Sequence, residues 1–105
     1  MQQLQSDVIS MVQDPRYSFF DFEGEFLKSG FSLLGRDNVS AITIFEMTAQ
    51  MYPQSAQVWS ALGDGYSKVG DVGKAIGHYE KALGLNPAAD LTKHVKSRLE
   101  GLRER

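Results

Sequence analysis

The sequence predicts an all-helical fold, and three observations lead to this prediction. A segment recurs at an offset of 34 residues, because Ala41 to Pro53 aligns with Ala75 to Pro87. Apolar residues recur at spacings of three and four, which is the pattern of a helix buried along one side. Glycine or proline follows the periodic stretches, where helices commonly end. A repeat of this length is typical of stacked helical hairpins, and we therefore expect two hairpins followed by a capping helix.

Residues 1–21 are expected to lie outside the two hairpins, as an amphipathic helix and an aromatic linker. The helix is predicted near residues 4–13, because the apolar residues there share one helical face. These residues are Leu4, Val8, Ile9, Met11 and Val12. A proline then ends the helix, and the linker that follows contains Tyr17, Phe19 and Phe20. We expect so aromatic a linker to pack against the rest of the chain.

The first hairpin is predicted over residues 22–53, with helices near 22–34 and 38–51. Its second helix matches the repeat well and ends at a Tyr-Pro pair. Its first helix matches less well. Gly30 precedes Ala41 by 11 residues, whereas the corresponding glycine of the second hairpin precedes its alanine by 12. We therefore expect a first turn that is one residue shorter than the second.

The second hairpin is predicted over residues 54–87, with helices near 55–69 and 72–85. Ser55 is the type of residue that caps a helix N-terminus, and Gly70 is the type that ends a helix. An Asn-Pro pair ends the second helix, because the residue before proline disfavours helical geometry.

A last helix is predicted near residues 89–102, within a C-terminal region of residues 88–105. Its apolar residues form a narrow stripe on an otherwise charged helix, which is typical of a helix that caps a stacked array. The stripe consists of Leu91, Val95, Leu99 and Leu102.

The second hairpin resembles the tetratricopeptide repeat. The residues that stand at the spacings of the pattern W-x2-L-G-x2-Y…A-x3-F…A…P are Trp59, Leu62, Gly63, Tyr66, Ala75, Tyr79, Ala82 and Pro87. Tyrosine at residue 79 in place of phenylalanine is the one change among them. The resemblance implies a right-handed superhelix of hairpins, in which the first helix of each hairpin lines a concave surface that binds a partner. We also expect Gly63 and Ala75 to face each other, because both are small and the helices must approach closely.

A narrower resemblance concerns the run from Phe26 to Pro87. It is similar to the short repeat region at the C-terminus of some bacterial serine hydrolases, of the β-lactamase-like and esterase-like types. The segments that carry this similarity are residues 29–34 (SGFSLL), residues 51–55 (MYPQS), residues 58–66 (VWSALGDGY) and Gly70-Asp71. Two functions therefore stay open. One is a non-catalytic module that binds a partner protein or peptide, and the other is an accessory domain separated from the catalytic domain of a serine hydrolase.

Composition argues against several other classes of function. Lys and Arg number 11 against 13 Asp and Glu, whereas nucleic-acid and membrane-surface proteins normally carry a basic excess. The absence of cysteine excludes thiolate metal sites and cysteine nucleophiles. Neither His78 nor His94 has a metal-binding partner at helical spacing, and we expect both at the solvated surface. We therefore expect no enzyme, no cofactor or metal, and no nucleic-acid or membrane partner.

The expected compartment is the cytoplasm. The chain contains no run of about 18 apolar residues that would span a bilayer. Its first residues lack the basic region and apolar core of a signal peptide.

The surface expected to bind a partner lies on the first helix of each hairpin. On the second hairpin the candidates are Gln57, Ser60, Asp64, Ser67 and Lys68. On the first hairpin Leu27, Phe31 and Leu34 share one face, because they fall at i, i+4 and i+7. Asp64 would repel the terminal carboxylate of a peptide, which disfavours that class of ligand.

The apolar stripe on the first hairpin needs cover, and two hairpins are fewer than the three repeats that usually confer stability. The N-terminal helix, a second copy of the chain and a foreign partner are the three candidates to cover it. We expect a homodimer, because an exchange of N-terminal helices would cover both apolar stripes at once.

Overall fold

The computed structural model describes residues 21–104, in which five helices follow one another along the chain. They are α1 (Phe22–Leu33), α2 (Asn38–Met51), α3 (Ala56–Lys68), α4 (Val72–Gly84) and α5 (Ala89–Arg103). No strand occurs within residues 21–104, and the prediction of an all-helical fold is confirmed. The ends of all five helices lie within one residue of their predicted positions. The helix predicted near residues 4–13 and the aromatic linker that follows it lie outside the described residues.

Side-chain caps explain where four of the helices begin. The capping residues, each of which accepts a hydrogen bond from the backbone N–H three residues later, are Asp21, Asp37, Ser55 and Asp71. Such a bond satisfies one of the N–H groups that the start of a helix leaves without a partner. After α3, Gly70 takes a φ of +82°, as expected for the glycine that ends a helix.

Consecutive helices pack as antiparallel pairs. Trp59, near the start of α3, lies beside Lys81, near the end of α4. Tyr66, near the end of α3, lies beside Lys74, near the start of α4. The helices α1 and α2 form the other pair, and a turn at residues 34–37 joins them. The turn between α3 and α4 covers residues 69–71, so the prediction that the first turn is the shorter one was wrong. These pairs are the two hairpins that the sequence predicts.

Phe45 of α2 joins the two hairpins. Its side chain has no exposed surface. The ring packs against the backbone of Gly30 in α1, and its centroid lies 5.0 Å from that of Phe31. The same ring also lies close to Gly65 of α3. A single aromatic residue therefore fills the space between three helices.

A second core joins α4 to α5. The buried residues of this core are Ala75, Tyr79 and Ala82 of α4, and Val95, Leu99 and Leu102 of α5. Leu91 is partly buried and packs against the same core. The apolar stripe predicted on the last helix is therefore the face that packs on the second hairpin.

Gly63 lies at a close approach of α3 to α4, where the nearest side chain is the ring of Tyr79. A Cβ atom at Gly63 would lie 2.5 Å from the ring of Tyr79. Helical side chains lean toward the N-terminus of their helix, so this ring reaches back over the turn that contains Ala75. Ala75 is fully buried in the same hairpin, and its position opposite Gly63 stays a prediction.

Candidate functional site

The first helix of each hairpin and the last helix enclose a cavity on one face of the protein. The cavity has a volume of about 460 Å³ and opens between α1, α3 and α5. Its lining residues are Leu27, Phe31, Gln57, Ser60, Asp64, Leu91 and His94. Two further clefts continue from this cavity, one from Asp64 and one along α5. We refer to the cavity and these two clefts together as the groove.

A narrower cleft of about 110 Å³ continues from Asp64, which borders both cavities. Its lining residues are Leu34, Asp64, Ser67, Lys68, Tyr79 and Arg98. The two cavities together bring all eight of the residues that we predicted to bind a partner onto one surface. Only 3% of Ser60 is exposed, so it lies at the floor, whereas Phe31 is 45% exposed at the mouth.

A third cleft, of about 510 Å³, extends the groove along α5. Its lining residues are Ser67, Asp90, Lys93, His94, Ser97, Arg98, Gly101 and Leu102. The groove therefore passes from an apolar end at Phe31 to a polar and mostly basic end at Arg98.

The contribution of α5 to the groove was absent from the sequence prediction. The repeat offset contains the signal that was missed, because counting 34 residues from the candidates on α3 leads to the groove residues of α5. The pairs related by this offset are Gln57 and Leu91, Ser60 and His94, and Asp64 and Arg98. The last helix therefore serves as a third groove helix as well as a cap.

Asp64 lies at the centre of the groove and is held by two neighbours. It accepts a hydrogen bond from the hydroxyl of Tyr79, and its Oδ1 lies 3.5 Å from Nε2 of His94. Burial and then the hydrogen bond to Asp64 raise the pKa of Tyr79, so this hydroxyl stays protonated and donates at neutral pH. The side chain of His94 is 38% exposed, as expected for a surface histidine, and it also faces Asp64.

His78 lies between two aromatic rings, and the prediction that it faces solvent was wrong. Its imidazole stacks on Trp59 with ring centroids 5.6 Å apart, and on Tyr66 at 5.2 Å. The Nζ atom of Lys81 lies 5.2 Å from the Trp59 centroid, and that of Lys74 lies 5.3 Å from the Tyr66 centroid. Three basic side chains of α4 thus interleave with two aromatic side chains of α3, and we refer to these five residues as the aromatic ladder.

The surroundings of the aromatic ladder shift the pKa values of two of its members, Tyr66 and His78. Tyr66 donates a hydrogen bond to Glu46 of α2, and this bond, with a smaller effect of burial, raises the pKa of Tyr66 to about 12. Burial lowers the pKa of His78, Lys74 lowers it further, and Glu46 opposes the shift. His78 is therefore neutral in the folded protein at pH 7.

We expect His78 to make the protein less stable in mild acid. An imidazole whose pKa is lowered by folding takes up a proton more readily when unfolded, so stability is lost as the pH falls below the ordinary value of 6.5. Urea unfolding of the wild type and of a His78→Gln variant at pH 7.5 and pH 5.5 tests this. The wild type should lose more stability than the variant over this interval. If the wild type lost less stability than the variant between pH 7.5 and pH 5.5, attraction of the imidazolium to the two rings would outweigh the cost of its burial.

No group of three or more histidine, aspartate and glutamate side chains within residues 21–104 could hold a metal ion. Over the same part of the chain, none of the helices has the length and apolar character needed to cross a membrane.

No protein-family model matches the chain, and no curated protein matches it either. The groove is therefore the feature of the molecule from which a function can be inferred.

Proposed function

We propose that this chain is a tetratricopeptide-type module that binds a segment of a partner protein in the groove and catalyses no reaction. The observation that supports the proposal is the periodic construction of the groove. Offsets of 33 residues from α1 to α3, and of 34 from α3 to α5, relate the residues that line it. Two such rows are Leu27, Ser60 and His94, and Phe31, Asp64 and Arg98.

The chemistry of these rows suits recognition. The row residues are apolar on α1, polar or acidic on α3, and basic on α5. Repeat scaffolds keep the geometry of each unit constant and use the extended concave surface for binding. A surface built in this way offers an apolar contact, hydrogen-bonding groups and charge along a single line.

The width of the groove limits what it can hold. Helices that pack against each other lie roughly 8–10 Å apart, so three of them make a surface roughly 16–20 Å across. An extended chain rises about 3.3 Å per residue, and roughly five or six residues would therefore cross the groove. A short linear segment of a partner fits this dimension.

Peptide selection followed by NMR mapping tests the proposal. A displayed library of random 12-residue peptides is screened for binding to the full chain. A selected peptide is then titrated into the protein labelled with nitrogen-15. We expect the largest amide shifts in α1, α3 and α5, around Phe31, Asp64 and His94. Exposed positions on the second helices of the hairpins, such as Thr43 and Gly77, should shift little.

Two results would contradict the proposal. One is a selection that yields no peptide whose shifts lie in the groove. The other is a set of shifts centred on α2 and α4, which would place the binding surface on the second helices of the hairpins.

A further inference from the structure

Lysine and arginine side chains that form no ion pair are concentrated at one end of the groove. Within residues 21–104, Lys28 and Arg103 form ion pairs, while Lys74 and Lys81 lie over aromatic rings. The lysine and arginine side chains in this range that have no ion pair, hydrogen bond or ring contact are Arg36, Lys68, Lys93, Lys96 and Arg98. Three of these five line the groove where α3 meets α5, namely Lys68, Lys93 and Arg98.

Neighbouring carboxylates offset only part of this charge, because two of them, Asp64 and Asp90, line the same cavities as the three cations. Asp64 is held by Tyr79 and His94. Asp90 lies in the first turn of α5, where the helix N-terminus favours a negative charge, and it forms no ion pair within the described residues. The whole chain carries a net charge of −2, so the basic end of the groove is opposite in sign to the protein as a whole.

The opposite end of the groove is apolar. Leu27 and Phe31 of α1 and Leu91 of α5 line it. Phe31 remains 45% exposed there, and an aromatic ring at the mouth of a cavity is the kind of residue that anchors a partner.

We infer that the groove selects an acidic segment of a partner protein, in which aspartate or glutamate side chains lie close in sequence to a large apolar residue. The inference rests on the proposed function. The apolar side chain packs on Phe31, and carboxylates are bound by Arg98 with Lys93 or Lys68. Three cations spread over two cavities accommodate more than one carboxylate, which points to side chains of the segment and not to a single chain terminus.

The test determines whether the peptides that bind the full chain contain aspartate and glutamate, and whether binding depends on those residues. The 12-residue library is fused to its carrier at the C-terminal end of each peptide, so that no free terminal carboxylate takes part. A selected groove-binding peptide is then synthesised with an amidated C-terminus in two forms. One form keeps its aspartate and glutamate residues, and the other replaces them with asparagine and glutamine.

We expect the selected groove-binding peptides to be acidic. The acidic form should bind roughly 3- to 30-fold more tightly than the neutral form in 50 mM NaCl, since each exposed ion pair contributes modestly. The difference should shrink in 500 mM NaCl, because salt screens charges at the surface.

Matched variants locate the effect. Replacing two cations of the groove, Lys93→Gln with Arg98→Gln, should remove the preference for the acidic form. Replacing two unpaired cations outside the groove, Lys96→Gln with Arg36→Gln, changes the net charge equally and should preserve that preference.

The possible failures are distinguishable. Groove-binding peptides that are neutral or basic would overturn the inference and leave the proposed function intact, whereas a lack of any groove-binding peptide would overturn both. An equal loss of preference in the two double variants would assign the effect to net charge and overturn the inference. A dimer in sedimentation equilibrium whose interface occupies the groove and excludes the acidic peptide would assign the groove to a second copy of the chain, with the same consequence.

Discussion

Truncation of Phe45 to alanine should lower the free energy of unfolding by about 3–5 kcal/mol, the loss typical of a buried aromatic residue. The ring has no exposed surface and packs against α1 and α3 as well as its own helix. Its removal would leave a cavity between the two hairpins that none of the three helices can close without losing other contacts. Because small domains are stabilised by only about 5–15 kcal/mol, much of the stability would be lost.

Urea unfolding followed by circular dichroism measures this loss. A Phe45→Leu variant keeps much of the buried volume and should cost clearly less, which preserves a measurement if the alanine variant fails to fold. Val39→Ala is the control on the same helix, because Val39 is 72% exposed and its truncation should change stability by less than about 0.5 kcal/mol. A loss below about 1 kcal/mol for Phe45→Ala would contradict the position of Phe45 between the hairpins.

The helices could be predicted from sequence because their signals are local. Ser55 and Asp71 cap the helices that they precede, and Gly70 ends α3, as their residue types indicate. Apolar spacing likewise identified the buried face of α5. In each case, residues within one or two turns determine the outcome.

The groove could be predicted in part. All eight candidate residues line it, because the period of a helix determines which of its residues share a face. The charged character of α5 indicates only a cap, so it does not predict the groove residues of that helix. Extending the offset to Leu91, His94 and Arg98 would have found them.

Contacts between side chains of different helices could not be predicted in this way. The stacking of His78 depends on how α4 is shifted along α3, by an amount that places its imidazole between Trp59 and Tyr66. The ring of Tyr79 reaches Gly63 for the same reason. A period along one helix determines which residues share a face, but it contains no information about this relative shift.

Replacing Phe31 with glutamate should weaken binding of the selected peptide by roughly 30-fold or more, as expected for the loss of an aromatic anchor. The ring is 45% exposed in the mouth of the groove, so the protein without peptide has less to lose from the change than the complex. The helical content of the variant, measured by circular dichroism, should therefore remain close to that of the wild type.

The most direct test of the account compares Phe31→Glu with Val69→Glu by isothermal titration calorimetry. Val69 is 46% exposed and caps the end of α3 outside the groove, so the two variants place the same charge at equally exposed apolar positions. We predict that Phe31→Glu loses at least about 30-fold in affinity, whereas Val69→Glu binds the peptide as the wild type does. Unchanged affinity in Phe31→Glu, or an equal loss in both variants, would contradict the assignment of binding to the groove.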